Sequence, residues 1–414
     1  MPFKPVLPPS TIDTLVTELT TALEAQAAPD ATTMSQHLDT FKKQWHATFA
    51  QFEQTRTGEL AYQDLLVRLE ANVLMPNRRW LRNSAAVQTL QSMMGWIAPA
   101  TSKRPNWKLL AKRKRQSRLN NTHGFDCPHF EKPVFIVSMP RAGSTLLFET
   151  LSHFPNVWTI GEESHEVIEG MTALHPAACD YSSNRLTAAD ATPTVASTLR
   201  ERFTRKLQTT TGQPYLGLPA AQRPRTVRFL EKTPKNALRI PFLQAVFPEA
   251  LFIYLYRDPA ENISSLMEGW RSRRFIGYRN MPGWPYLEWS FLLVPGWHGL
   301  HERPLAEIAA YQWQTTNALI LEDLQTLPAS RWHFVHYTDL IQTPRETIHA
   351  ISTFANLPWN DSIEQLTAQA LPVSQLTFSK PAPDKWRINE VDIAPLLPTL
   401  DPLVELIAAL RVRS

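Results

Sequence analysis

Cysteine is nearly absent from this chain, which has only Cys127 and Cys179 among its 414 residues. Two cysteines cannot form the disulfide framework that is typical of small secreted proteins. The run Cys127-Pro-His129 also offers too few ligands, at poor spacing, for a structural zinc site. The sequence therefore predicts neither a disulfide-stabilised fold nor a metal site.

Long apolar runs are also missing. No stretch approaches about 18 uninterrupted apolar residues, the length that a membrane-spanning helix needs. The first residues, Met1-Pro-Phe-Lys-Pro5, lack the apolar core of a signal peptide. Because 43% of the residues are hydrophobic, the chain can still fill a substantial core. We therefore expect a cytoplasmic protein without a transmembrane segment.

The charge excess is small, with a formal net charge of +4 at pH 7. Such a charge suits a polyanionic small molecule but is modest for a nucleic-acid-binding protein. No recognised nucleic-acid-reading module is visible either. We therefore expect no specific nucleic-acid partner.

A phosphate-binding turn is indicated by Val134-Phe-Ile-Val-Ser-Met-Pro-Arg-Ala-Gly-Ser-Thr-Leu-Leu147, an apolar strand followed by a polar turn and an apolar helix. Free backbone amides at a helix start bind anionic oxygens, Gly143 permits close approach, and Arg141 adds a positive charge. An ATP-hydrolysing loop would have lysine where Ser144 stands. A phosphorylated ligand other than ATP is therefore favoured.

A second anion-binding segment is predicted from Leu251 to Leu266. The apolar strand Leu251–Tyr256 is followed by Arg257-Asp-Pro259 and then by a helix that carries Ser265. The guanidinium of Arg257 and the hydroxyl of Ser265 can converge on one phosphate. Pairing of Arg257 with a nearby aspartate is the alternative.

Together these segments resemble the sulfotransferase family that uses 3′-phosphoadenosine 5′-phosphosulfate (PAPS) as donor and releases 3′-phosphoadenosine 5′-phosphate (PAP), particularly its bacterial and Golgi-type branches. The resemblance covers roughly residues 134–387. It implies that the first turn holds the 5′-phosphosulfate and that the second segment holds the 3′-phosphate. The implied donor-binding residues are Arg141, Ala142, Gly143, Ser144, Thr145, Arg257 and Ser265.

Two further matches carry the chemistry. Gly161-Glu-Glu163 resembles the motif of tyrosylprotein sulfotransferases, which implies Glu163 as the general base that deprotonates the acceptor. Phe229-Leu-Glu-Lys232 resembles a strand end whose lysine reaches the sulfuryl group, so Lys232 is the implied partner of Arg141 in stabilising transition-state charge. Burial could raise the pKa of Glu163 towards neutrality. Glu162 and His165 remain alternative bases.

The segment Ser379-Lys-Pro-Ala-Pro-Asp-Lys-Trp-Arg387 resembles the loop that closes over the nucleotide. Lys385 and Arg387 could contact phosphate, and Trp386 could stack on a base. A solvated basic loop is the alternative.

The fold class expected is α/β, a P-loop-like parallel sheet flanked by helices with an N-terminal helical region. We expect that helical region at 1–102, a basic linker at 103–130 and the sulfotransferase domain at 131–414. The predicted strands are Val134–Ser138, Val157–Ile160, Thr226–Glu231, Leu251–Tyr256 and Trp332–His336. The predicted helices are Thr145–His153, Pro193–Leu207, Ala237–Phe247, Pro259–Glu268 and Pro304–Leu324.

The aromatic segment from Trp270 to His301 is interpreted as a lid over the acceptor, with Trp284 and Trp289 as its test residues, although an aromatic loop packed in the core or a homodimer contact is also open. The predicted activity is sulfuryl transfer from PAPS to a hydroxyl, or as second choice an amine, of a small metabolite, glycan or lipid. The alternatives are a P-loop kinase that uses ATP and Mg²⁺, and a noncatalytic nucleotide sensor or scaffold.

Overall fold

The structure, a computed structural model, describes residues 126–372 and 384–411. The helical region expected at 1–102 lies outside these residues, as do most of the expected basic linker and residues 379–383 of the C-terminal loop. The expectations for those segments therefore stay predictions.

A seven-stranded sheet forms the centre of the described chain, in the order β4-β3-β5-β2-β6-β9, with β1 also paired to β5. All these pairings are parallel except that of β4 with β3. Parallel strands place their carboxyl ends at one edge, which is where ligands bind in such folds. The strands are β1 His129–Phe130, β2 Val134–Ser138, β3 Val157–Thr159, β4 Gln208–Thr209, β5 Thr226–Lys232, β6 Leu251–Tyr256 and β9 Trp332–His336; the hairpin of β7 Ile276–Arg279 and β8 Glu288–Ser290 lies apart from the sheet.

The predicted parallel sheet is confirmed, and β2, β6 and β9 have the predicted bounds. The strand β1 differs from the expectation, because it falls inside the segment assigned to the linker. Its residues His129 and Phe130 pair with Thr226 and Val227 at the start of β5. The sheet domain therefore includes the last residues of that segment.

Helices connect the strands, and several begin at a proline. Pro193, Pro259 and Pro344 occupy first-turn positions, where a missing N–H costs no hydrogen bond. The helix expected from Ala237 instead starts as a 3₁₀ helix at Pro234–Leu238. The α-helices are α1 Ser144–Leu151, α2 His165–Glu169, α3 Pro193–Lys206, α4 Ile240–Val246, α5 Pro259–Ser272, α6 Leu305–Gln325, α7 Tyr337–Gln342, α8 Pro344–Ala355, α9 Asp361–Thr367, α10 Glu390–Ile393 and α11 Leu397–Arg411.

The sheet is buried on both faces, because alternate side chains of each central strand enter different cores. On one face, Phe135 of β2 and Phe252 of β6 pack with residues from α3, α4, α5 and α6. On the other, Ile136 and Ile253 pack with residues from α1, α8 and α9. This arrangement fixes the strand ends that carry the site.

The aromatic segment is not the lid that was expected. Trp289 and Trp297 are fully buried, and Trp284 is 7% exposed. Their rings pack edge to face, with centroids 4.8 Å apart for Trp284 and Trp289 and 5.6 Å for Trp289 and Trp297. Trp270 joins the same cluster. The lid assignment of Trp284 and Trp289 is therefore wrong, because these rings are packed in a core. The spacing of prolines and glycines in the sequence shows that the segment is irregular but not that its tryptophans are buried.

The C-terminal segment was not expected to have membrane-spanning properties, yet residues Lys385–Arg411 are long and apolar enough to cross a membrane by length and composition. In the structure this segment is a chain of short helices whose Leu400, Leu403 and Ile407 join the core. The expected absence of a transmembrane segment therefore stays a prediction.

Candidate functional site

A cavity of about 700 Å³ opens at the carboxyl ends of β2, β5 and β6. The sequence predictions and the cavity lining agree for most residues, since Arg141, Lys232 and Arg257 follow those three strand ends. The predicted site residues that line it are Arg141, Gly143, Ser144, Thr145, Glu163, Lys232, Arg257, Ser265, Lys385 and Trp386.

The turn before α1 has a strained backbone. Arg141 has φ +67° and Gly143 has φ +100°, both in the left-handed region. Ala142 is fully buried and outside the cavity lining, and its N–H donates to the Met139 carbonyl at 3.3 Å. Ala142 therefore shapes the turn, whereas the first residues of α1, Ser144 and Thr145, line the cavity. The amides of a first helical turn have no intrahelical partners.

The two predicted anion-binding segments meet in space. Arg141 Nε donates to Ser265 Oγ at 3.3 Å, and Arg257 Nη1 donates to the Arg141 carbonyl at 3.0 Å. Burial, with a contribution from the charge of Arg257, lowers the pKa of Arg141. Arg257 also pairs with Glu261, its Nε and Nη2 donating to Oε2 at 3.1 and 3.0 Å. Two guanidinium groups and a hydroxyl thus converge on one end of the cavity.

Tyr337 at the start of α7 supports this end. Its ring lies beneath the turn, so that a Cβ on Gly143 would come within 2.5 Å of it. The guanidinium of Arg257 lies 4.6 Å from the centroid of the same ring. Its position under both motifs depends on the connection from β9 to α7.

At the other end, Glu163 binds both Lys232 and His165. Lys232 Nζ donates to Glu163 Oε1, and His165 Nε2 lies 2.8 Å from Oε2. Burial opposes ionisation of Glu163, but the hydrogen bond from His165 and the charge of Lys232 outweigh it and lower the carboxyl pKa to about 2. The expected rise in the pKa of Glu163 is therefore wrong, because the sequence did not show how close Lys232 lies.

The alternative base Glu162 points elsewhere. Its carboxylate pairs with Lys206 and is 47% exposed, and it does not line the cavity. His165 does line the cavity, but its Nδ1 is buried without a hydrogen-bond partner while Nε2 faces Glu163. Glu163 is therefore the best placed of the three candidates.

A buried ion-pair cluster that the sequence did not indicate lies deeper along the cavity. Lys235 Nζ donates to Glu169 Oε2 at 2.8 Å and to the Tyr278 hydroxyl at 2.7 Å, and Arg239 Nη2 donates to Glu169 Oε1 at 2.5 Å. Burial lowers the pKa of Lys235 to about 8. Burial also raises the pKa of Glu169, but the charges and hydrogen bonds of Arg239 and Lys235 outweigh this effect and lower that pKa to about 2. Lys235 and Glu169 both line the cavity.

The C-terminal loop contributes two of its three predicted residues. Lys385 Nζ donates to Glu268 Oε2 at 2.9 Å, and both Lys385 and Trp386 line the cavity. Arg387 does not line it and pairs with Glu390 at 2.7 Å on the surface. The prediction that Arg387 contacts the ligand thus has no support from its position.

Phe275 and Phe291 form the apolar wall of the cavity. Their rings are stacked with centroids 5.1 Å apart, and the Arg141 guanidinium lies 4.9 Å from the Phe275 ring. Both belong to the aromatic segment from Trp270 to His301. That segment therefore reaches the site through its phenylalanines and not through its tryptophans.

Among the described residues, no group of three or more His, Cys, Asp or Glu side chains is arranged to hold a metal ion. Both cysteines are unpaired and exposed. The polar chemistry of the cavity thus comes from carboxylates, ammonium and guanidinium groups, hydroxyls and backbone amides.

Comparisons with known proteins identify related sequences and folds. A model of the sulfotransferase family matches residues 133–361. Protein-tyrosine sulfotransferase 1 of Danio rerio is 26% identical over 246 residues, 58% of each chain. The protein-tyrosine sulfotransferase of Drosophila melanogaster is 23% identical over 232 residues, 56% of this chain and 39% of the relative. A mouse sulfotransferase, SULT7A1 complexed with PAP, aligns with a TM-score of 0.33 at 14% identity, over 63% of this chain and 78% of the other.

The chain spans less than two thirds of the length of these two curated relatives. The family match nevertheless extends from the start of β2 to the start of α9 and includes most of the cavity. This chain belongs to the sulfotransferase family.

Proposed function

We propose that this protein transfers a sulfuryl group from PAPS to a hydroxyl, or as second choice an amine, of a small metabolite, glycan or lipid. The observation that carries the proposal is the meeting of the two anion-binding segments, Arg141 with Ser265 and Arg257, in the cavity that also contains Lys232 and Glu163. A nucleotide with phosphates on the 3′ and 5′ oxygens of one ribose can contact both segments at once.

The residues present fit such a donor. The first-turn amides of α1 and the guanidinium of Arg141 would hold the 5′-phosphosulfate, and Arg257 with Ser265 would hold the 3′-phosphate. When bound, PAPS supplies the sulfuryl group that moves in line from a phosphate oxygen to the acceptor oxygen. Lys232 and Arg141 stabilise the charge that develops on the leaving phosphate, a contribution typically on the order of 3–4 kcal/mol per donor.

Glu163 is the proposed general base. With Lys232 and His165 attached, its low pKa of about 2 makes it a weak proton acceptor. If Lys232 turns towards the donor, the buried carboxylate loses a positive neighbour, so its pKa rises and it becomes a better base. The same movement of Lys232 thus brings a positive charge to the leaving phosphate and makes Glu163 a stronger base for the acceptor hydroxyl.

The acceptor would lie between Glu163 and the apolar wall. Phe275 and Phe291 give that wall two stacked rings, which can contact a ring or an alkyl chain. Lys235 and Glu169 add a polar patch beside it. This combination supports an acceptor that has an apolar or ring-shaped body and a hydroxyl group.

Calorimetric titration with PAP, PAPS and ATP, followed by an assay of PAP release with candidate acceptors, tests the proposal. We expect PAP and PAPS to bind and ATP to bind weakly; tight binding of ATP in place of PAP would favour the kinase. Binding of PAP without any turnover of PAPS in extracts that contain acceptors would favour a noncatalytic sensor.

The base assignment is tested by Glu163→Gln, with Glu162→Gln as a matched control on the neighbouring residue. Loss of a general base costs roughly 10²–10⁴ in rate. We expect that loss in kcat for Glu163→Gln and wild-type kcat for Glu162→Gln, because Glu162 pairs with Lys206 outside the cavity. Equal activity of both variants would reject Glu163 as the base.

A further inference from the structure

Glu231 is a buried carboxylate directly before Lys232 that the proposed chemistry does not use. It is 1% exposed and does not line the cavity. Burial raises its pKa, against the effect of several hydrogen bonds. A buried carboxyl group beside a catalytic lysine is costly to keep, so its contacts need an explanation.

Its hydrogen bonds connect two segments of the site. The Thr233 hydroxyl donates to Glu231 Oε1, and Asn236 Nδ2 donates to Oε2 at 2.6 Å. Thr233 Oγ1 in turn accepts the backbone N–H of Ser164 at 2.7 Å and lies 3.0 Å from Ser164 Oγ. Asn236 Nδ2 also lies 3.4 Å from Ser164 Oγ.

The carboxylate determines the direction of this chain of bonds. Both carboxyl oxygens of Glu231 accept a hydrogen bond, one from Thr233 and one from Asn236, so the single hydroxyl proton of Thr233 points to Glu231. The Thr233 oxygen then has its lone pairs available for the backbone amide of Ser164. Ser164 follows Glu163 and Thr233 follows Lys232, so the network joins the backbones of the two residues that form the catalytic ion pair.

We propose that Glu231 is a positioning residue that holds Glu163 opposite Lys232 through Thr233 and Ser164. This inference rests on the proposed function, in which those two residues perform the transfer. Glu231 itself touches neither donor nor acceptor, because it lies outside the cavity. Its role is to fix the distance between base and lysine.

A glutamine at position 231 has nearly the same shape as glutamate, but its amide no longer fixes the direction of the hydrogen bonds through Thr233. If its carbonyl faces Thr233, its NH₂ group meets the NH₂ group of Asn236. If it is reversed, its NH₂ group donates to the Thr233 oxygen, so the Thr233 proton must turn away from residue 231 towards Ser164 Oγ. Turning Asn236 over would sacrifice its 3.5 Å contact from Arg239. The first arrangement therefore sets two buried donors against each other, and the second reverses the hydroxyl of Thr233, so both change the bonds that join Thr233 to Ser164.

The test compares Glu231→Gln with Asp323→Asn, which makes the same chemical change at a buried carboxylate paired with Arg185 and outside the cavity lining. Displacement of catalytic groups by about 1 Å can cost about 10²-fold in rate. We expect Glu231→Gln to lower kcat by about 10–100-fold with KM for PAPS nearly unchanged, and Asp323→Asn to lower thermal stability alone. Equal kcat for the two variants would overturn the proposal.

A second pair of variants, at Thr233, tests the proposed network without changing Glu231. Thr233→Val deletes the hydroxyl and should reproduce the loss in kcat, whereas Thr233→Ser keeps the hydroxyl and should recover most of it. If Thr233→Val turns over as fast as Thr233→Ser, the proposed network does not position the site.

A readout without turnover separates this inference from the proposed function. Acetylation of Lys232 by acetic anhydride, followed by mass spectrometry, should be slow in the wild type, where Lys232 is 6% exposed and paired with Glu163. It should be faster in Glu231→Gln and Thr233→Val but not in Asp323→Asn. Unchanged labelling of Lys232 in Glu231→Gln would contradict the positioning role even if the wild type fails to turn over PAPS.

Discussion

Replacement of Gly143 by alanine should damage both stability and nucleotide binding, and the structure provides the control. Gly143 has φ +100°, and an added Cβ would lie 2.5 Å from Cε2 and 2.6 Å from Cδ2 of Tyr337. Gly212 also has a left-handed φ, +84°, but nothing lies within 4 Å of its added Cβ. The two substitutions therefore share the backbone strain and differ in the clash.

The magnitudes follow from these two contributions. A left-handed conformation costs an alanine about 1–2 kcal/mol, and forcing an extra carbon into a packed site costs about 1–3 kcal/mol. Tyr337 is 8% exposed and packs against Arg257, so its ring has little room to retreat. We expect Gly143→Ala to lose about 2–5 kcal/mol of unfolding free energy and Gly212→Ala about 1–2 kcal/mol.

Urea unfolding measures the free energies, and calorimetric titration measures the affinity for PAP. Because a displaced Tyr337 would shift Arg257, we expect Gly143→Ala to weaken PAP binding by about tenfold, or about 1.4 kcal/mol, and Gly212→Ala to leave it unchanged. In a Tyr337→Ala background the extra cost of Gly143→Ala over Gly212→Ala should disappear. The reasoning is refuted if the two alanine variants are equally stable and bind PAP equally.

Three further results are expected. Glu169→Gln should lose on the order of 3 kcal/mol of unfolding free energy, measured in urea at pH 7. Because the pKa of Glu169 in the folded protein is about 2, this difference from wild type should shrink as the pH falls from about 4.5 to about 2. A difference that stays constant with pH would contradict this prediction. Burial lowers the pKa of Lys235 to about 8, below its ordinary value of 10.5, so the unfolded chain binds more protons than the folded chain between these two pH values. The thermal stability of the wild type should therefore rise across this pH range relative to that of Lys235→Met, and parallel pH profiles of the two proteins would argue against it. Trp289→Ala should lose about 3–5 kcal/mol of stability and leave the KM for the acceptor unchanged, because the Trp289 ring is fully buried. An altered KM with unchanged stability would indicate instead that Trp289 contacts the acceptor.

The strands were predictable because their sequences meet a simple requirement. A strand such as Leu251–Tyr256, buried on both faces, needs an uninterrupted apolar run, and the change to Arg257-Asp-Pro259 ends it. The short strands β4, β7 and β8 were not predicted. Each has two to four residues and is defined by its pairing partner, which local pattern does not reveal.

Most of the predicted residues line the cavity, but the electrostatics of the cavity were not predictable from the sequence. Arg141, Lys232 and Arg257 follow strand ends, so their convergence follows from the parallel sheet. The pKa of Glu163 is lowered by its hydrogen bond with His165 and by Lys232, which approaches from a segment 69 residues away. The sequence shows neither contact, so the direction of the pKa shift was predicted wrongly. Likewise, no local signal marks Glu169, because its partner Lys235 lies 66 residues further along the chain.

Three of the cations that line the cavity, Lys232, Arg257 and Lys385, already have acidic partners within the chain. Glu163 pairs with Lys232, Glu261 with Arg257, and Glu268 with Lys385, and all six of these residues line the cavity. A phosphate that enters the site therefore exchanges one anionic partner for another, and the gain per contact is smaller than the number of positive charges suggests. This exchange also makes departure easier, because each cation regains a partner when the nucleotide leaves. A transferase that must release a doubly phosphorylated product in every cycle benefits from such pairing, since cations without partners would retain that product.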